Sequence, residues 1–182
     1  PGRHLVSNAL AAIAVGWLLK ISPAKMAAGL QKSVVTSGRL QISEATGGIK
    51  IIDDSYNANP ASVKAALQVL RELGGDKTVA VLGDMLELGP VEVSAHREVG
   101  RFAAQCGLAA LITVGERAKE IAAAATKAGL EARACEDHDG ALAALRETVP
   151  GPGWYILIKG SRGMRMEKLV QSLLDLPEGE KK

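Results

Sequence analysis

The sequence predicts an α/β fold, doubly wound around a mostly parallel sheet, and three observations lead there. Short apolar runs, among them Val79-Ala80-Val81-Leu82, Leu111-Ile112-Thr113-Val114 and Tyr155-Ile156-Leu157-Ile158, are continuous rather than alternating, as strands buried on both faces must be. Between them lie stretches with the 3.6-residue apolar period of amphipathic helices. Strand-like runs alternating with helical ones imply crossover connections and parallel pairing. With 47% hydrophobic residues and only 3% aromatic ones, the core must be built from Ala, Val, Leu and Ile.

The elements follow in order. Residues 4–19 read as a strongly apolar helix, and Ser22-Pro23 opens a second that runs to about Gln31, with Pro23 at the first helical position. Two short helices cannot make a core of their own. A polar connection from Val34 to Leu40 carries Ser37-Gly38-Arg39, and Val35-Thr36-Ser37-Gly38 is expected to act as a hinge. The domain boundary is placed here, between segments 1–37 and 38–176. Gln41–Thr46 and Ile49–Asp53, split by Gly47-Gly48, read as a β-hairpin. Helices are then expected over 61–73, 92–106, 116–128, 139–148 and 165–174, with a weak strand at Ala132–Ala134. The charged stretch 177–182 reads as a disordered tail. The chain opens on Pro1 beside a helix that looks internal to something larger, so a fragment of a longer protein is expected.

Parallel strands point their carboxyl ends to one rim, where open α/β sheets bind ligands. The loop after the first such strand is Asp53-Asp54-Ser55-Tyr56-Asn57-Ala58-Asn59-Pro60. Asn59 is placed to cap the helix that Pro60 begins, and the unpaired N–H groups of that helix start favour anions. The same stretch also reads as a capped, solvated turn. After later strands come Gly83-Asp84-Met85-Leu86-Glu87-Leu88-Gly89, Gly115-Glu116, and Lys159-Gly160-Ser161-Arg162-Gly163-Met164-Arg165. The expected rim therefore carries carboxylates on one side and Lys159, Arg162 and Arg165 on another. The Lys159 loop suits an anion, because its glycines let backbone N–H groups approach while Lys and Arg supply charge. A basic turn with no ligand fits it equally. Asp84 and Glu87 are expected to be solvated, and His96 to be a packing residue rather than a base.

Composition excludes several classes. A net charge of +2 sets up no strong field for a polyanion, and few aromatics leave little to stack on bases, so nucleic acid is not expected as a partner. Cys106 and Cys135 have no metal-ligand spacing, which together with the lack of a disulfide framework favours a reducing, cytoplasmic setting. The apolar run at residues 9–19 is too short to span a bilayer. Neither Gly-x-x-x-x-Gly-Lys-[Ser/Thr] nor Gly-x-Gly-x-x-Gly occurs at a strand end.

Six stretches in register carry a resemblance to a known family. They are Gly2-Arg3-His4-Leu5-Val6-Ser7-Asn8-Ala9-Leu10-Ala11-Ala12, Gly38-Arg39-Leu40, Asp53 to Pro60, Val81 to Gly89, His96-Arg97-Glu98-Val99-Gly100, and Lys159 to Glu167. In this order they resemble the Mur ligases, most closely those that join D-alanyl-D-alanine to UDP-N-acetylmuramoyl-tripeptide in peptidoglycan precursor synthesis. The resemblance implies a Rossmann-like carboxy-terminal domain preceded by the last helices of a central ATPase domain. It also implies an ADP-forming ligase using ATP and Mg²⁺, with the P-loop and metal held in parts of the family's architecture that this sequence lacks, and with the fragment inactive alone.

The family's roles carry over by motif. Asn8 would contact adenine, Arg39 the ribose or phosphates, and Asp54 the ribose hydroxyls. Tyr56, Asn57 and Asn59 would line the closing face. Lys159, Ser161 and Arg162 would lie at the D-alanyl-D-alanine and acyl-phosphate side, with Lys159 and Arg162 as the catalytic charges. No metal ligand is expected in the chain, and a monomer is expected. A freestanding ligand-binding domain, or an amide ligase of the folylpolyglutamate or cyanophycin type, remains an alternative reading.

Overall fold

The computed structural model describes residues 4–32 and 37–175. Residues 33–36, which hold the first half of the expected hinge, and the expected tail 177–182 lie outside the described residues. The chain divides into two compact units, Pro1–Thr36 and Ser37–Lys182.

The first unit is a helix pair, α1 (His4–Leu18) and α2 (Pro23–Gln31). Ser22 stands at the start of α2 with extended dihedrals, but its side chain makes no cap bond, so Pro23 sets that start. The helices approach closely at Gly16, where a Cβ would come within 2.6 Å of Met26 Sδ. Val6, Leu10, Val15, Trp17 and Leu18 of α1 stay exposed, as expected for a pair too small to form its own core.

The second unit begins with the antiparallel hairpin of β1 (Gln41–Ala45) and β2 (Ile49–Asp54), in which Gln41 faces Asp53 and Ala45 faces Ile49. Gly47 and Gly48 turn it with φ of 79° and 74°, a region that L side chains seldom adopt. The chain then alternates through α3 (Pro60–Gly74), β3 (Thr78–Gly83), α4 (Glu92–Gln105), β4 (Ala110–Val114), α5 (Lys119–Lys127), β5 (Ala132–Cys135), α6 (His138–Thr148), β6 (Tyr155–Lys159) and α7 (Glu167–Leu174). The strands form one six-stranded sheet in the order β1-β2-β6-β3-β4-β5, parallel throughout except for β1. Every residue of β3 and β4 is buried, which explains their unbroken apolar sequence.

Helices cover both faces. Val63 and Leu67 of α3, Val99 and Ala103 of α4, and Ile121 and Ala125 of α5 pack on one side with Ile52, Leu82 and Leu111. Ala144 and Leu145 of α6 and Leu169 and Leu173 of α7 pack on the other with Ile51, Val81 and Ile158. Two helices start later than the sequence predicts. Glu116 to Ala118 form a turn ahead of α5 because the Ala118 N–H is drawn to Asp84 Oδ1 at 2.7 Å. Ahead of α7, Arg162–Met164 is a short 3-10 turn and Arg165 is left-handed at φ 50°, so no helix can run through it.

The chain winds in one direction through β2, β3, β4 and β5, with α3, α4 and α5 on one face, then reverses to insert β6 between β2 and β3, with α6 and α7 on the other face. The crevice outside the carboxyl ends of β2, β6 and β3 is where such sheets bind ligands.

Candidate functional site

The rim at that crevice is built from three loops and the short segment 37–40. At the end of β2, Asp53 is buried and its Oδ1 accepts from the Ser55 N–H at 3.0 Å, closing a local turn. Asp54 points across to β6. Its Oδ2 meets Lys159 Nζ at 2.5 Å, and its Oδ1 accepts from the Leu40 N–H at 3.1 Å. Lys159 also donates to the Asn57 carbonyl at 2.8 Å, and its side chain is only 3% exposed against 14% for Asp54. Sheet register makes the pair inevitable, since Asp54 and Lys159 are Cα partners on neighbouring strands.

This corrects the expected division of the rim. Lys159 belongs to the acidic side, beside Asp54, and is not presented to a ligand as a free cation. Ser161 is likewise internal. It is 4% exposed, its Oγ accepts from the Leu86 N–H at 2.8 Å and donates to the Ala58 carbonyl at 3.4 Å. Its own N–H donates to the Asp84 carbonyl at 3.0 Å, so Ser161 ties three rim loops together. Sequence spacing could not reveal either role, because both depend on which strands are neighbours.

Arg162 stays outward, with a side chain 65% exposed and 3.3 Å from Glu167 Oε1. An ion pair that open to water leaves the guanidinium available. Asn57 and Asn59 are exposed. Asn59 caps α3 as its spacing predicts, accepting from the Ser62 N–H at 2.8 Å while the Ser62 hydroxyl accepts from the Asn59 N–H at 3.1 Å. Asn57 Oδ1 accepts from the Ala58 N–H. Tyr56 is 45% exposed, and the Arg39 guanidinium carbon lies 4.4 Å from its ring centroid. Asn8 lies exposed on α1, in the first unit.

The loop after β3 is braced rather than solvated. Asp84 is 4% exposed, accepts from Ala118 and stands 3.6 Å from the Arg117 guanidinium. Gly115 packs directly on it, since a Cβ there would lie 2.6 Å from Asp84 Oδ1. The hydrogen bond that Arg117 Nε donates to the Glu92 carboxylate at 2.7 Å holds the guanidinium above its usual range. His96 is fully buried, with Nε2 accepting from the Met85 N–H at 3.1 Å and Nδ1 2.8 Å from the Glu92 carbonyl. That assigns the ring proton to Nδ1 and makes His96 a loop brace, in keeping with a packing role. Glu87 is exposed and left-handed at φ 63°.

Among the described residues no group of three or more His, Cys, Asp or Glu side chains is placed to hold a metal ion. A cavity of about 380 Å³ lies at the opposite, amino end of the strands, between Ala109, Glu131, Arg133, Glu147 and Trp154, remote from the rim.

The chain is similar to known proteins along nearly its whole length. The chain is 39% identical over 179 residues to the UDP-N-acetylmuramoyl-tripeptide–D-alanyl-D-alanine ligase of Bacillus subtilis, covering 97% of the chain and 39% of that relative. It is 36% identical over 180 residues to the ligase of the same name from Escherichia coli, covering 95% and 37%. The chain thus spans about two fifths of these curated relatives' lengths. A crystal structure of MurF from Acinetobacter baumannii superposes with a TM-score of 0.85 at 34% identity, over 96% of this chain and 38% of that one. Residues 38–162, most of the second unit, match the family model described as Mur ligase, glutamate ligase domain. That match, over more than half of the chain, and the Rossmann-like α/β sheet that superposes on MurF establish that the chain belongs to the Mur ligase family.

Proposed function

We propose that this chain is the closing, carboxy-terminal part of an ADP-forming amide ligase that adds D-alanyl-D-alanine to UDP-N-acetylmuramoyl-tripeptide. The observation that carries this reading is the identity of 36–39% along 95–97% of the chain to relatives named for that reaction. ATP would phosphorylate the tripeptide's terminal carboxylate, releasing ADP. The dipeptide amine would attack the acyl phosphate, and the tetrahedral intermediate would expel phosphate as the amide forms. Such a reaction depends on positioning and on stabilising charge, which suits a rim that closes on reactants held elsewhere.

Arg39 is assigned to the nucleotide's phosphates or ribose, and Asp54 to the ribose hydroxyls. Asn8, on the first unit, is assigned to adenine. Arg162 is the outward guanidinium suited to the dipeptide carboxylate, which an Arg fork can bind in two parallel bonds. Asn57 and Asn59 are assigned to the face around it. Lys159 and Ser161 act by holding this rim rather than by meeting substrate. Mg²⁺ would neutralise phosphate charge. The setting is cytoplasmic and the protein a monomer in this reading; no helix among the described residues is long and apolar enough to cross a membrane.

The test is steady-state phosphate release by a full-length ligase carrying this chain's residues. Release should require ATP, the muramoyl tripeptide and D-alanyl-D-alanine together. Equal release with the dipeptide omitted, or replaced by a single amino acid, would overturn the assignment.

A further inference from the structure

We propose that Tyr56 is a positioning residue whose ring face sets the Arg39 guanidinium for a phosphate-bearing ligand. The proposal deepens the reading above and rests on it for the ligand. Three successive residues of the segment before β1 are fastened to the strand end that carries Asp54. The Gly38 carbonyl accepts from the Tyr56 N–H at 3.0 Å, the Arg39 guanidinium lies over the Tyr56 ring at 4.4 Å, and the Leu40 N–H donates to Asp54 Oδ1 at 3.1 Å. Gly38 and Leu40 both have positive φ, 73° and 52°. Gly38 suits its place, because a Cβ there would stand 3.1 Å from Tyr56 N on a backbone whose positive φ L side chains seldom adopt. Leu40 adopts a conformation that its side chain disfavours and is nonetheless 5% exposed, so its burial and its bond to Asp54 hold it there. The backbone on either side of Arg39 is thus fixed, while Arg39 itself is exposed.

A guanidinium stacked on a ring uses its face for the aromatic contact and keeps its in-plane N–H groups at the edge. Phosphate oxygens are bound by those edge donors. The two interactions therefore do not compete, and the ring removes side-chain freedom that ligand binding would otherwise have to remove. The Tyr56 hydroxyl, at the far end of the ring, has no part in this.

The experiment compares Tyr56→Phe, Tyr56→Leu, Arg39→Ala and the double variant Arg39→Ala/Tyr56→Leu in a full-length ligase carrying these residues. Tyr56→Leu should raise KM for ATP about two- to fivefold, the range that an exposed cation–π contact supplies. It should leave kcat and the melting temperature near their starting values, and Tyr56→Phe should restore KM. The double variant should be no worse than Arg39→Ala, because Tyr56 acts only through Arg39. In NMR spectra of the present chain, the Arg39 Nε–H should carry a ring-current shift that survives Tyr56→Phe and vanishes in Tyr56→Leu. Equal losses in Tyr56→Phe and Tyr56→Leu, or multiplying losses in the double variant, would mean that Tyr56 touches the ligand itself and would overturn the proposal. Absence of the ring-current shift would also overturn it. If Arg39→Ala leaves KM for ATP unchanged while the shift behaves as expected, the positioning stands and the nucleotide assignment of Arg39 falls.

Discussion

Replacing Lys159 by Met tests the centre of the rim. The substitution keeps the length and apolar stem of a side chain 3% exposed and deletes its two hydrogen bonds, to Asp54 Oδ2 and the Asn57 carbonyl. Breaking a buried ion pair from one side typically costs about 3–5 kcal/mol, because the remaining charge is left without compensation. Asp54 keeps its bond from the Leu40 N–H and is 14% exposed, so water can reach part of it. The loss should accordingly fall near the lower end, about 3 kcal/mol, or roughly 10 °C in melting temperature for a domain of this size. Asp54→Leu should cost more, since it strands an ammonium with less access to water. The double variant Asp54→Leu/Lys159→Met should lose less than the sum of the singles by at least about 1 kcal/mol, as expected for two groups in contact. Urea unfolding of all four proteins, followed by circular dichroism, measures these differences. A loss below about 0.5 kcal/mol for Lys159→Met, within the range of ordinary surface changes, would refute the argument that the pair is withdrawn from water. Strict additivity in the double variant would refute the pairing itself.

Gly100→Ala would place a Cβ 2.2 Å from the Ile121 carbonyl, forcing α4 and α5 apart; a loss of about 1–3 kcal/mol by urea unfolding is expected, and none would mean that the helices can slide. Burial pushes the Cys135 thiol above its ordinary value of 9.0, so its contribution to stability is complete below that value and is lost as pH rises through the higher folded one. Melting curves from pH 7 upward should therefore fall less steeply in Cys135→Ala than in the unaltered chain, and identical slopes would dismiss the burial argument. Arg162→Ala, at an exposed position, should leave the melting temperature alone and raise KM for D-alanyl-D-alanine about ten- to a hundredfold in a full-length ligase, with Arg162→Lys recovering part; a rise confined to ATP would reassign the residue.

Much of this molecule is determined locally. The apolar runs at Val79–Leu82 and Leu111–Val114, short and interleaved with amphipathic stretches, read as strands covered on both sides, and the spacing of Asn59, Pro60 and Ser62 specifies a capped helix start before any tertiary contact exists. The six ordered motifs likewise carry the resemblance to the Mur ligases in the sequence alone. Strand order is different in kind. Nothing in the run Tyr155–Lys159 says that it inserts between β2 and β3, since parallel pairing is specified by burial on two faces and by long crossovers, not by sequence adjacency. That insertion brings Lys159 against Asp54, 105 residues away, and turns an expected ligand-binding cation into an internal partner. The same holds for Ser161 and Leu86, for His96 and Met85, and for Arg39 over Tyr56. Each of these side chains could be read from sequence as polar and near the rim. Whether it faces a ligand or a neighbouring loop is decided by packing, because a buried polar group must find its partner wherever the folded chain has put one.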